Sequence, residues 1–202
     1  MAHDPERTRS LLLTAAVREF SEHGYAGARV DRISSAAGAN KERLYSYFGN
    51  KRSLLESVLA NQLATALDAT PVRGTGPGAV AQFAVDYFDA CLTATDLPRL
   101  VTWEGLELQT PIDVEDRRAR ACTKVEELRA AAPGMTREQA EDLFLTVVTL
   151  CHGWFTGPNL GRIIAGDETD HARRRSAVAS TASAIVSALP TGTPDQTTGA
   201  AR

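Results

Sequence analysis

The sequence predicts an all-α protein with a small N-terminal head of short helices and a larger C-terminal helical bundle. Apolar residues recur at spacings of three and four, as they do on helices with one buried face. No stretch shows the period-two alternation of a strand. Residues 70–78 (TPVRGTGPG), with two Pro and three Gly, mark a loop between helical regions.

The first helix is expected to begin at Asp4-Pro5-Glu6. The Asp side chain accepts free backbone N–H groups, Pro suits the first turn, and Glu favours the positive end of the dipole. Leu12, Leu13, Ala16, Val17 and Phe20 form its buried stripe, and Gly24 is expected to stop it. Val30, Ile33 and Ala37 share one face of a second helix, ended by Gly38 in the left-handed conformation. Asn40 caps a third helix, residues 41–48, whose one apolar i, i+4 pair is Leu44 and Phe48. Asn50 caps a fourth, which runs to about residue 69 and packs Leu54, Leu55, Val58, Leu59 and Leu63 on the head. Its second half is small and weakly amphipathic, suiting a helix that touches both head and bundle.

Beyond the loop, residues 79–95 carry Val80, Phe83, Ala84, Tyr87, Phe88 and Cys91 on a broad apolar face. Residues 97–109 form a sixth helix, broken by Thr110-Pro111. Residues 114–131 are highly charged with a thin stripe of Ala121, Val125 and Leu128, leaving one face to water. Thr136-x-x-Gln139 is a capping-box pattern opening a helix, residues 137–155, that is apolar almost all round. Residues 159–169 read as a helical turn and loop, and residues 170–189 as a last helix rich in Ala and Ser. Residues 190–202 lack a core residue and are expected to form a disordered tail.

At 202 residues, 43% hydrophobic and 23% charged, the composition is that of a globular chain of one or two small domains. It has no apolar run of membrane-spanning length and no signal-peptide core at the N-terminus. The widely spaced Cys91, Cys122 and Cys151 fit no zinc pattern, so a cytoplasmic location with reduced thiols is expected. The net charge of −3 is unevenly spread: residues 1–55 hold nine Arg and Lys against six Asp and Glu, the remainder thirteen against nineteen. A basic head on an acidic body keeps attraction for phosphates local.

On the third helix Glu42, Arg43 and Ser46 point away from Leu44 and Phe48, with Tyr45 and Tyr47 on the flanks. A helix this short gains little from propensity and must be held by its neighbours. Its outer face fits a solvated helix, and it also fits a recognition helix in a DNA major groove. Ile33 with Ala37-Gly38, then Leu44-Tyr45-x-Tyr47-Phe48-x-x-Lys51-x-x-Leu54, resembles the DNA-binding domain of TetR-family transcriptional regulators over residues 7–59.

The resemblance implies a three-helix helix-turn-helix DNA-binding domain over residues 1–55. A helical-bundle ligand-binding and dimerisation domain would follow over residues 56–189, with the fourth helix as connector. It implies a homodimeric repressor on a palindromic double-stranded DNA operator, released by a small-molecule effector. Arg29, Tyr45 and Lys51 are then expected at phosphates, and Lys41 and Arg43 at bases with Ser46 and Tyr47 beside them. Glu42 either favours the helix dipole or accepts from a cytosine amino group. Three positions depart from the family pattern: Arg29 where Thr is common, Ala39 where Val is common, and Asn40 for the usual Ser or Thr. Arg29 cannot cap by accepting an N–H, although it can reach a phosphate as a cation.

Catalysis is not expected. Cys151 and His152 are adjacent on one helix and diverge. Glu104 and Glu107 lack the accompanying Glu-x-x-His of bundle metal sites. There is no phosphate loop, dinucleotide fingerprint or nucleophile elbow, so neither metal nor cofactor is expected. An effector pocket is expected among Phe83, Tyr87, Cys91, Trp103, Glu107, Phe144, Val148 and His152, with a plain aromatic core as the alternative at each position. The dimer is expected to form through Leu143, Val147, Leu150, Trp154, Ala177, Thr181, Ala184 and Ile185. The competing reading of the chain is a helical small-molecule carrier or enzyme with a vestigial DNA-binding head.

Overall fold

The computed structural model describes residues 4–166 and 170–189, which hold ten helices and no strand. In order they are α1 (Pro5–Gly27), α2 (Val30–Ala36), α3 (Lys41–Phe48), α4 (Lys51–Asp68) and α5 (Pro77–Thr93), then α6 (Asp96–Glu107), α7 (Val114–Ala131), α8 (Arg137–Thr156), α9 (Pro158–Ala165) and α10 (His171–Ser187). The expected tail, residues 190–202, lies outside the described residues.

The helix starts follow their caps. Asp4 accepts from the N–H groups of Glu6 and Arg7, Asn40 from that of Arg43, and Asn50 from that of Ser53. Thr136 and Gln139 close a reciprocal capping box. Gly38 ends the α2 turn at φ 63°.

Two elements differ from expectation. Helix α1 does not stop at Gly24 but kinks there, at φ 68° and ψ −177°, and continues to Gly27. Residues 158–165 form a full helix, α9, that leaves Leu160, Ile163 and Ile164 at 62%, 82% and 76% exposure.

Two apolar cores share α4 and α6, the latter giving Leu97 to the body core and Leu100 to the head core. The head core joins Leu12, Ala16 and Phe20 of α1 to Ile33, Leu44 and Phe48, and to Leu54, Leu55, Val58 and Leu59 on the first half of α4. It also borrows Leu100 of α6 and Ile112. The second half of α4 supplies Ala66, with Leu63 and Leu67, to the body core, built around the buried faces of α5, α7, α8 and α10. The small face of α10, Val178 and Ala182, packs in this core with α5, and Arg175 pairs with Asp89 of α5 at 2.9 Å.

This packing corrects two dimer candidates. Leu143 and Val147 are 1% and 0% exposed within their own chain and offer nothing to a second subunit. Helix α8 is apolar nearly all round because it meets several surroundings: the body core through Leu143, Val147 and Cys151, a cavity through Phe144 and Val148, and the outer face through Leu150 and Trp154.

Helix α6 is the unexpected joint. Its Asp96 accepts from the Ser21 hydroxyl at 2.7 Å, and Arg99 and Trp103 both donate to the Ser21 carbonyl, at 3.0 and 3.1 Å. One Glu107 carboxylate oxygen accepts from the backbone N–H groups of Tyr25 and Ala26, at 2.5 and 3.0 Å. Trp103 and Glu107 are therefore not wall residues of the bundle cavity. Their polar atoms are engaged on the end of α1. The Gly24 kink makes this grip possible, because its positive φ is hard for an L side chain and a Cβ there would sit 2.7 Å from the Glu107 oxygen.

Candidate functional site

The head presents α3 on the two-residue support of Leu44 and Phe48, both buried. Lys41, Glu42, Arg43, Tyr45 and Ser46 are exposed along its outer side, and Tyr47 is half-buried with its ring 6.3 Å from Phe48. Lys41 pairs with Asp31 of α2 at 2.5 Å. Both partners are exposed, so breaking the pair to reach a base costs at most about 1 kcal/mol.

Arg29 stands at the N-cap of α2 without a side-chain cap bond. A residue distant in sequence tethers this end of α2 without capping its first-turn N–H groups. The buried Glu19 accepts from the Arg29 N–H and from Arg32 Nε, each at 2.7 Å. Burial pushes the Glu19 carboxyl up, but the hydrogen bonds from Arg32 and the Arg29 backbone outweigh it and hold it below its ordinary value. The Arg29 side chain is left exposed. Lys51 lies with Nζ 4.9 Å over the Tyr25 ring, and this partial burial lowers its pKa against the pull of Glu107 and Glu19.

The body holds a cavity of about 460 Å³ between α4, α7 and α8, a size that suits a small organic ligand. Of the expected pocket residues, Tyr87, Phe144, Val148 and His152 line it. Phe83 sits behind, packed on Tyr87 and Phe144, and Cys91 is wholly buried in the core. The wall also includes Leu63 and Leu67 of α4 and, unforeseen, Arg117, Arg118, Arg120 and Arg137. Their polar, solvated look in the sequence hid them, because the charged face of α7 and the first residue of α8 come to line the cavity.

At the cavity the Tyr87 hydroxyl meets His152 Nε2 at 2.9 Å, and burial pushes His152 from 6.5 down to about 4. The unfolded chain therefore binds a proton at His152 that the folded chain refuses between pH 6.5 and 4. Stability from this group is present above pH 6.5 and lost as pH falls. Denaturant titrations at pH 7.5 and pH 5 are expected to show a loss of about 2 kcal/mol that is absent in His152→Asn.

The chain matches the family model described as bacterial regulatory proteins, tetR family, over residues 12–58. Residues 79–183, more than half the chain, match the tetracyclin repressor-like C-terminal domain. The chain belongs to the TetR family. The HTH-type transcriptional repressor SCO4008 of Streptomyces coelicolor is 34% identical over 170 residues, covering 82% of this chain and 87% of that protein. The repressor NicS of Pseudomonas putida is 42% identical over 64 residues, 32% of this chain and 30% of its own. The crystal structure of the transcriptional regulator SCO4942 of Streptomyces coelicolor superposes with a TM-score of 0.72 at 29% identity, covering 88% of this chain and 97% of that one. As a TetR-family member the protein is a DNA-binding transcriptional regulator whose head is the helix-turn-helix. Among the described residues no helix is long and apolar enough to cross a membrane.

Proposed function

We propose that this TetR-family protein is a ligand-responsive repressor. It binds a palindromic operator as a homodimer through α3 and is released when a small molecule occupies the α4–α7–α8 cavity. One observation carries this reading: Leu63 and Leu67 of α4 line the cavity, while the same helix begins at Lys51 and anchors the head core. Ligand contact with α4 acts on the element that positions α3. A second connection runs through α6. Arg117 at the cavity holds the buried Glu104, and Glu107 one turn on grips the end of α1. A ligand shifts the equilibrium only by binding the operator-incompetent arrangement better. The two relatives named as repressors support the direction of control.

The test is a gel shift with the DNA flanking the protein's own gene. Absence of binding to any duplex at low salt favours the vestigial-head reading. With three or four phosphate contacts per subunit, Arg29, Tyr45 and Lys51 among them, the dimer is expected to show a log–log salt slope of about −5 to −7. Lys51→Ala is expected to weaken all sequences alike and flatten that slope. An unchanged slope removes Lys51 from the interface. Arg43→Ala is expected to lose about 1–3 kcal/mol of discrimination at one base position.

For the dimer, the surface left open is the outer side of α8 and α10 with α9: Leu150, Trp154, Ala177, Thr181, Ala184 and Ile185, continued by the exposed Ile163 and Ile164. Exposed apolar surface of this extent marks an interaction site. Ala184→Glu and Thr181→Glu are expected to sediment as folded monomers at low micromolar concentration. If both stay dimeric, the interface lies elsewhere.

A further inference from the structure

The cavity has a chemical polarity that its apolar walls alone do not explain. Four arginines line it against one acidic residue, Glu141. Three of the four are already engaged. Arg117 donates to Glu104 at 2.5 Å and to the Ile112 carbonyl at 3.1 Å, Arg120 pairs with Asp68, and Arg137 pairs with Glu141 at 2.9 Å. Arg118 has no hydrogen bond or ion pair among the described residues. The positive charge left over at the mouth therefore belongs to Arg118, next in sequence to an arginine that is fixed in place. Deeper in, Phe144 and Val148 offer apolar surface, and His152, held neutral by burial, adds no charge.

We propose that the effector is an amphiphilic anion, with an apolar body between α4 and α8 and a single anionic end on Arg118. The proposal rests on reading this cavity as the effector site. Guanidinium groups bind carboxylates and phosphates through charge-assisted hydrogen bonds. Arg117, only 22% exposed and bonded on two sides, has its charge met by Glu104, which leaves Arg118 as the anion's partner. A lipophilic cation meets the reverse arrangement, since Glu141, the one carboxylate on the wall, is already taken by Arg137.

The test is isothermal titration of the full-length protein, without DNA, with dodecanoate, dodecyl phosphate, dodecanol and dodecyltrimethylammonium below their micelle concentrations. At least one anion is expected to bind about tenfold tighter or more than dodecanol, with the cation weakest. Arg118→Ala is expected to remove most of the difference between anion and alcohol. Val148→Trp, which fills the cavity, is expected to abolish binding of the anion. The two anions separate a carboxylate from a phosphate end group. Five results overturn the proposal: no binding of either anion, anions no tighter than the alcohol, the cation tightest, an anion preference that survives Arg118→Ala, or anion binding that survives Val148→Trp. Because no DNA is present, a protein that fails to bind any operator still yields these affinities, so the two readings fail separately.

Discussion

Gly24→Val is expected to destabilise the protein by about 3–5 kcal/mol and to abolish operator binding at physiological temperature. Two independent penalties add. The residue sits at φ 68°, which a β-branched side chain resists, and any Cβ falls 2.7 Å from the Glu107 carboxylate. Moving Glu107 away leaves the N–H groups of Tyr25 and Ala26 without their charged acceptor. Glu107→Ala keeps the backbone conformation and loses only those bonds, so it is expected to cost less, about 1.5–3 kcal/mol. The two substitutions remove one shared contact, and the double variant should fall short of their sum. Denaturant titration of the three variants measures this. A loss below about 1 kcal/mol for Gly24→Val, or full additivity, would mean that α6 does not hold α1 through this carboxylate.

Leu44→Ala is expected to cost about 2–5 kcal/mol and to remove DNA binding while sparing the body. Helix α3 is eight residues long and buries only Leu44 and Phe48, so truncating one leaves it without adequate support. The body provides its own readout. Cys91 and Cys151 are buried, and burial pushes both thiols well up, Cys91 to about 12, whereas Cys122 is half-buried at the cavity wall. Thiol labelling at pH 8 is expected to modify Cys122 alone in both wild type and Leu44→Ala. Loss of operator binding accompanied by labelling of all three thiols would show that head and body melt together.

Several features were legible from residues close in sequence. The capping side chains of Asp4, Asn40, Asn50 and Thr136 act on N–H groups two or three residues away. The i, i+4 pair of Leu44 and Phe48 defines the inner face of α3 and hence its outer one. The turn at Gly38 needs only its own φ. Helix α9 was read as no more than a helical turn, because a stretch of eight residues whose Leu160, Ile163 and Ile164 stay exposed adds nothing to either core.

What the sequence by itself determined is the helical content, the placement of the caps, and the helix-turn-helix register that carries the TetR resemblance. The tertiary structure alone decided which face of α8 is core and which is open, closing Leu143 and Val147 inside their own chain while leaving Leu150 and Trp154 half-buried at its outer face. It alone brought Glu107 to Tyr25, 82 positions away, and turned the charged face of α7 toward a cavity. The physical reason is range. Periodicity and capping are set within a helical turn or two, whereas the partner of a buried carboxylate, or the cover over an apolar face, depends on which distant helices come to lie against each other.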